Sequence, residues 1–199
     1  MDRRAFLTRG ASAAALALVG HSPSFADLEP DAKWAIYRRY RLLVVGQRDD
    51  ELASGVAAAV ANVLERFLPT SRARVAAAAD TRRVGVLIGT GQQDVAVMAA
   101  ASADALFFSR QPFEDLRGVP LRLIVSFGSH ALVCRSDFAA HYAYLLAQTL
   151  CGHADQLPRP AGAPTGPVPS HPGSHAFFSG YEMHDAPRLR QVGNSVSQW

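Results

Sequence analysis

The chain has 199 residues, 20 Lys and Arg against 17 Asp and Glu, a formal net charge of +3, and 49% hydrophobic residues. That length suits one ordinary domain with a packed core. The near balance of charge, without a Lys/Arg block interleaved with aromatics, argues against a nucleic-acid partner.

The chain opens on Asp2-Arg3-Arg4-Ala5-Phe6-Leu7-Thr8, followed by an alanine-rich apolar run from Ala11 to Val19. A paired arginine, Phe-Leu and a short h-region form the pattern of a twin-arginine export signal. Ser24-Phe25-Ala26 supplies small residues for cleavage after Ala26. The h-region is shorter than the ~20 residues needed to span a bilayer, so a cleaved signal is favoured over a retained anchor, and the expected location is the periplasm. The leader's Arg3, Arg4 and Arg9 against Asp2 account for most of the net positive charge. In an exported chain Cys134 and Cys151 are permitted to pair, although packing as small buried hydrophobes is favoured.

Past a mixed stretch in which Trp34, Tyr37 and Tyr40 are candidate packing anchors, 41–46 reads as a short buried strand ending at Gly46. Leu52, Val56, Val60, Val63, Leu64 and Phe67 recur at steps of three and four, one face of a helix stopped by Pro69. Arg72 to Ala79 fits a second strand. Thr81 is a candidate cap for a helix through Ile88, closed by Gly89 and Gly91. Asp94 to Ala99 predicts a third strand, Ser102 to Phe108 a helical turn or two, and 121–127 and 131–135 further strands broken at Gly128. This order predicts an α/β fold, an open and mainly parallel sheet with flanking helices. A helix over 138–153 follows, with Tyr142, Leu145, Leu146 and Leu150 on one side. The domain plan is then a signal at 1–26, a single α/β lobe at 27–157, a Pro/Gly-rich linker at 158–169, and a short helix with a mobile tail at 170–199.

Several constellations could carry chemistry. The loop Gln47-Arg48-Asp49-Asp50-Glu51 lies where the first strand ends, the usual ligand edge of an open α/β sheet. Arg48 suits an anion, the three acids suit a hard cation, and a third reading has the acids capping helix 52–67. Ser129 and His130 are sequence neighbours, which along a strand point to opposite faces, a poor arrangement for a nucleophile and its base. His171 and His175 stand four apart, but Pro172 and Gly173 place His171 ahead of the helix, and the metal reading yields to a structural turn. No G-x-S-x-G elbow, P-loop or G-x-G-x-x-G follows a strand, so neither an enzyme nor a cofactor is expected.

Gly46 with the helix after it, then Thr81-Arg82-Arg83, Leu87 and Gly91-Gln92-Gln93-Asp94-Val95-Ala96-Val97, resembles the first lobe of extracytoplasmic solute receptors, the TAXI-type receptors of TRAP transporters above all. Arg117 to Ile124 and Ala131 to Asp137 resemble the stretch that leads to the second lobe of that family. Val168-Pro169-Ser170-His171-Pro172-Gly173-Ser174-His175-Ala176-Phe177-Phe178 is similar to the family's late "P-x-HPGA" segment followed by paired aromatics, the most specific of these matches. The family's second lobe has no counterpart here, and its glycine-rich aromatic loop is replaced by 47–51. The resemblance implies a single-lobed receptor for a small anionic solute, working with membrane transporter subunits. Its ligand residues at the carboxyl edge would be Gly46, Gln47, Arg48, Ser54, Thr90, Gln92, Ser129 and His130, with Arg48 meeting the anion. The alternative is a non-catalytic interaction module, pairing with a second copy or with a periplasmic partner protein through the face the lost lobe would cover.

Overall fold

A computed structural model of the chain describes residues 41–183 and 189–191. The leader and the candidate anchors Trp34, Tyr37 and Tyr40 lie outside these residues, as does the end of the tail. The elements run β1 (Leu43–Gln47), α1 (Glu51–Phe67), β2 (Arg74–Ala78), α2 (Thr81–Gly89), β3 (Val95–Ala99), α3 (Ala100–Phe107), β4 (Leu121–Phe127), β5 (His130–Arg135), α4 (Ala140–Gly152) and α5 (Pro172–Phe178). A small antiparallel pair follows, β6 (Tyr181–Met183) with β7 (Leu189–Gln191). It lies in a stretch the sequence had marked only as short helix and tail.

The main sheet has five strands in the order β2-β1-β3-β5-β4. β2, β1 and β3 are parallel, and β5 runs antiparallel to both β3 and β4, so one strand of five is reversed. The protein is thus α/β with an open, mostly parallel sheet. Strand alternation sorts the core onto two faces. Val44, Val95 and Val97 join Val56, Val60 and Leu64 of α1 and Leu146 and Leu150 of α4. Val45, Ala96 and Met98 face the other way, onto Val84 and Ile88 of α2, Leu106 of α3 and Phe113.

Local chemistry sets the helix ends. Asp50 caps α1 through Oδ1, which accepts from the Ala53 N–H at 2.9 Å. Asp80, not Thr81, caps α2, accepting from the Arg83 N–H at 2.7 Å. Thr81 is the first helical residue, one place too late to cap. Gly128, with φ of +72°, is the first central residue of the two-residue turn joining β4 to β5, the position that a type II′ hairpin gives to glycine.

The stretch 158–169 is not a detached linker. Gly162 exchanges backbone hydrogen bonds of 2.9 and 3.0 Å with Ser126, the Leu123 N–H donates to Pro169 O at 3.0 Å, and Val168 is buried in the core. Prolines cannot donate to a ladder, yet this segment shields the outer edge of β4 with a few bridging bonds. The His-Pro-Gly-Ser run then staples α5 in place. His171 donates from Nε2 to Phe138 O at 2.8 Å and accepts the Gly173 N–H at Nδ1 at 3.2 Å. The Ser174 hydroxyl donates to Ile124 O on β4. Both His171 nitrogens are therefore occupied by backbone. Cys134 is buried in β5, Cys151 is half-buried on α4, and both thiols are free.

Candidate functional site

β1 ends at the carboxyl edge of the sheet, and the chain turns through Arg48-Asp49-Asp50 into α1. This turn opens a cleft of about 790 Å³, lined by Gln47, Asp49, Asp50, Glu51, Leu52, Gly55 and Pro158. Gln47 is the last residue of β1 and only 7% exposed, and its Oε1 is buried with no hydrogen-bond partner. A buried acceptor left unpaired costs about 1–3 kcal/mol, and this one is shut away from solvent beneath the carboxyl edge.

Asp50 is the hinge of the electrostatics. Its Oδ1 caps α1, and its Oδ2 lies 2.8 Å from His130 Nε2, joining α1 to the β4–β5 turn. The Asp50 side chain is 22% exposed and that of His130 8%. Burial pushes the Asp50 carboxyl up, but the Ala53 N–H, the hydrogen bond and charge of His130, and the Leu52 N–H together hold it below the usual carboxylate value. The other ring nitrogen of His130, Nδ1, is 3.1 Å from Ser129 Oγ. The expectation that Ser129 and His130 diverge fails because Ser129 belongs to the turn, where strand alternation does not hold. With Nε2–H donating to Asp50, a neutral ring leaves Nδ1 to accept the Ser129 hydroxyl. Neither Ser129 nor His130 lines the cleft, and this chain of groups fastens the turn onto the N-terminus of α1.

The sequence-derived site residues divide. Gln47, Arg48, Ser54, Ser129 and His130 gather at the carboxyl edge. Of these only Gln47 lines the cleft. Arg48 is exposed and outside the lining, and its backbone N–H extends the β1–β2 ladder by donating to Ala78 O at 3.0 Å. Ser54 is half-buried in the first turn of α1, where its N–H donates to Asp50 O at 2.9 Å. Gly46 is a packing residue. A Cβ there would lie 2.9 Å from Ala57 Cβ and 3.2 Å from Ala53 O, so glycine is what lets α1 press onto β1. Thr90 and Gln92 are not part of this edge. α2 leaves the carboxyl end of β2 and returns to the start of β3, so its C-terminus and the 90–92 turn lie at the amino edge. There the Thr90 hydroxyl donates to Val86 O at 2.7 Å, and Arg135 donates to Gly89 O at 2.9 Å.

Asp50 was legible as a cap but not as a partner of His130, 80 positions away. Gly55 and Pro158 carried no local signal for the cleft. Among the described residues, no group of three or more His, Cys, Asp and Glu could hold a metal ion, and no helix is long and apolar enough to cross a membrane. No protein-family model and no curated protein sequence matches the chain.

Proposed function

We propose that this chain is an exported, single-lobed solute-binding protein related to TAXI-type receptors, capturing a small polar solute at the carboxyl end of β1 for transport or sensing. The observation that carries the reading is the cleft at the carboxyl end of β1, lined by Gln47 and the turn into α1. A receptor cleft of this kind combines an apolar surface with a few placed polar groups, here Leu52 and Pro158 beside Gln47 and the acids. The position at the carboxyl edge of parallel strands also favours it, and so does the leader with Arg3 and Arg4, which would carry the protein to the periplasm. The chain works by binding, not by turnover. Isothermal titration against a panel of organic acids, amines and neutral polar solutes tests the proposal. Heat that saturates with at least one member is expected, and none at millimolar concentrations would sink solute capture.

One observation favours the interaction-module reading beside it. Val75 is 49% exposed on β2, the edge strand of the described sheet, and exposed apolar strand edges invite pairing. Light scattering decides this: a dimer dissociated by Val75→Lys would support docking there, and a monomer at all concentrations would remove the homodimer.

A further inference from the structure

We infer that Ser129 is an activated nucleophile, an acyl-acceptor site built with His130 and Asp50 that takes one acyl group from a small activated ester; this goes beyond the binding reading and does not rest on it. Side chains from two distant segments stand in line. Ser129 Oγ lies 3.1 Å from His130 Nδ1, and His130 Nε2 lies 2.8 Å from Asp50 Oδ2. A hydroxyl, an imidazole and a carboxylate joined in that order are the parts of a nucleophile, its base and the group that orients the base. The two ring nitrogens are used the other way round from the protease triad, but the roles follow from geometry and not from labels.

The surroundings suit those roles. Ser129 is exposed at the tip of the β4–β5 turn, while the ring behind it is buried. Ser129 O accepts the Ala100 N–H at 2.8 Å, and His130 pairs with Ala99 across the sheet, so the backbone under both side chains is pinned. Asp50 is pinned too, by Oδ1 on the Ala53 N–H. Fastening the turn needs only the Nε2 contact, and Nδ1 is left to the hydroxyl of the exposed residue. Among the described residues the N–H groups of Gly128 and Ser129 meet no acceptor, and such free donors are what a developing oxyanion uses. Ser129 lies outside the β1–α1 cleft, so the donor is a small one met from solvent. In the step, the Ser129 oxygen bonds to the donor's carbonyl carbon while its proton passes to His130 Nδ1, where the Asp50 carboxylate stabilises the imidazolium. The donor's bond to its leaving oxygen then breaks. That oxygen takes the bonding pair and the proton, and an ester remains on Ser129.

The test exposes the full chain to p-nitrophenyl acetate and, in parallel, to an alkyl fluorophosphonate, whose serine adduct water removes slowly. Nitrophenolate release, intact mass and peptide mapping are the readouts. One group per chain, on Ser129, is expected from each reagent. Ser129→Ala, at an exposed turn position, should abolish both. His130→Gln should slow labelling by about 100-fold or more, the contribution of a general base. Asp50→Asn should slow it as well, with partial recovery in Asp50→Glu, a pattern that loss of a fastening contact does not give; thermal midpoints check that the variants are folded. Label on Lys33, the sole lysine, or on the amino terminus, with Ser129 bare, overturns the proposal. Labelling of Ser129 at the parent rate in folded His130→Gln overturns it too. So does silence with both reagents, which leaves His130 as a fastener of the turn.

Discussion

Removing the Asp50 carboxylate tests the central joint of the site. Asp50→Ala deletes the α1 cap, which costs about 1 kcal/mol in typical helices. It also strips the acceptor from His130 Nε2, whose side chain is 8% exposed, and an orphaned buried donor costs about 1–3 kcal/mol. The expected loss is therefore about 2–4 kcal/mol. Asp50→Asn keeps an oxygen for the Ala53 N–H but has only one, so the contact with His130 suffers and the cost falls to about 1 kcal/mol. Urea unfolding of the three proteins at pH 7 reads these differences. The sign with pH is fixed as well. The Asp50 carboxyl titrates below its ordinary 3.8 in the fold, so its contribution is complete above the unfolded value and disappears as pH falls through the folded one. The advantage of the parent over the Asp50→Asn protein should thus shrink below about pH 4. An Asp50→Ala protein within about 0.5 kcal/mol of the parent, the scale of an ordinary surface change, would refute the linkage of α1 to the hairpin.

Gly173→Ala should be the most damaging small change, because its Cβ would lie 1.8 Å from Ala140 O, in backbone that cannot yield; loss of soluble yield or more than about 4 kcal/mol in urea is expected. Gly55→Ala should stabilise α1 by about 0.5–1 kcal/mol, since the site is helical, exposed and sterically open. Burial, reinforced by Arg122, holds the His171 imidazole below its ordinary 6.5, against the opposing pull of Phe138 O. Stability should then be complete above that value and fall as pH drops through the lower folded one, and His171→Asn should remove that slope in urea midpoints measured between pH 4.5 and 7.5.

The elements that sequence revealed are those whose signal is local. Six apolar residues from Leu52 to Phe67 carried α1, with bounds within one residue of Glu51–Phe67. The valines of 95–97 carried β3, and Gly128 marked the break between β4 and β5, though not that the two pair as a hairpin. What failed was polarity. Thr90 and Gln92 follow a helix as Arg48 follows a strand, but a helix between parallel strands runs back, so the turn after it lies at the other edge. The docking of 158–169 on β4 was illegible because prolines and glycines signal an irregular path, not where that path lies. The Asp50–His130 contact depends on how β5 was inserted beside β3, which no spacing within either segment encodes.

On the solute-binding reading proposed above, a cleft with one wall also bounds the affinity. Sites that hold small ligands tightly bury about 70–90% of the ligand surface, whereas six of the seven lining residues here come from the one stretch between Gln47 and Gly55, with Pro158 opposite. One charge-assisted hydrogen bond to such a wall contributes about 1.5–3 kcal/mol, and a second, neutral one about 0.5–1.5 kcal/mol. Together these reach the ~4 kcal/mol that corresponds to millimolar dissociation, before the cost of immobilising the ligand. The expected Kd of a small solute for a monomer is therefore millimolar or weaker. A micromolar value requires a second wall, and light scattering at saturating solute locates it. A shift to twice the monomer mass would mean that two lobes close on the solute, as two-lobed receptors do within one chain. Micromolar binding by a strict monomer would show that the cleft encloses more of its ligand than the β1–α1 wall provides, and the one-walled site would have to be abandoned.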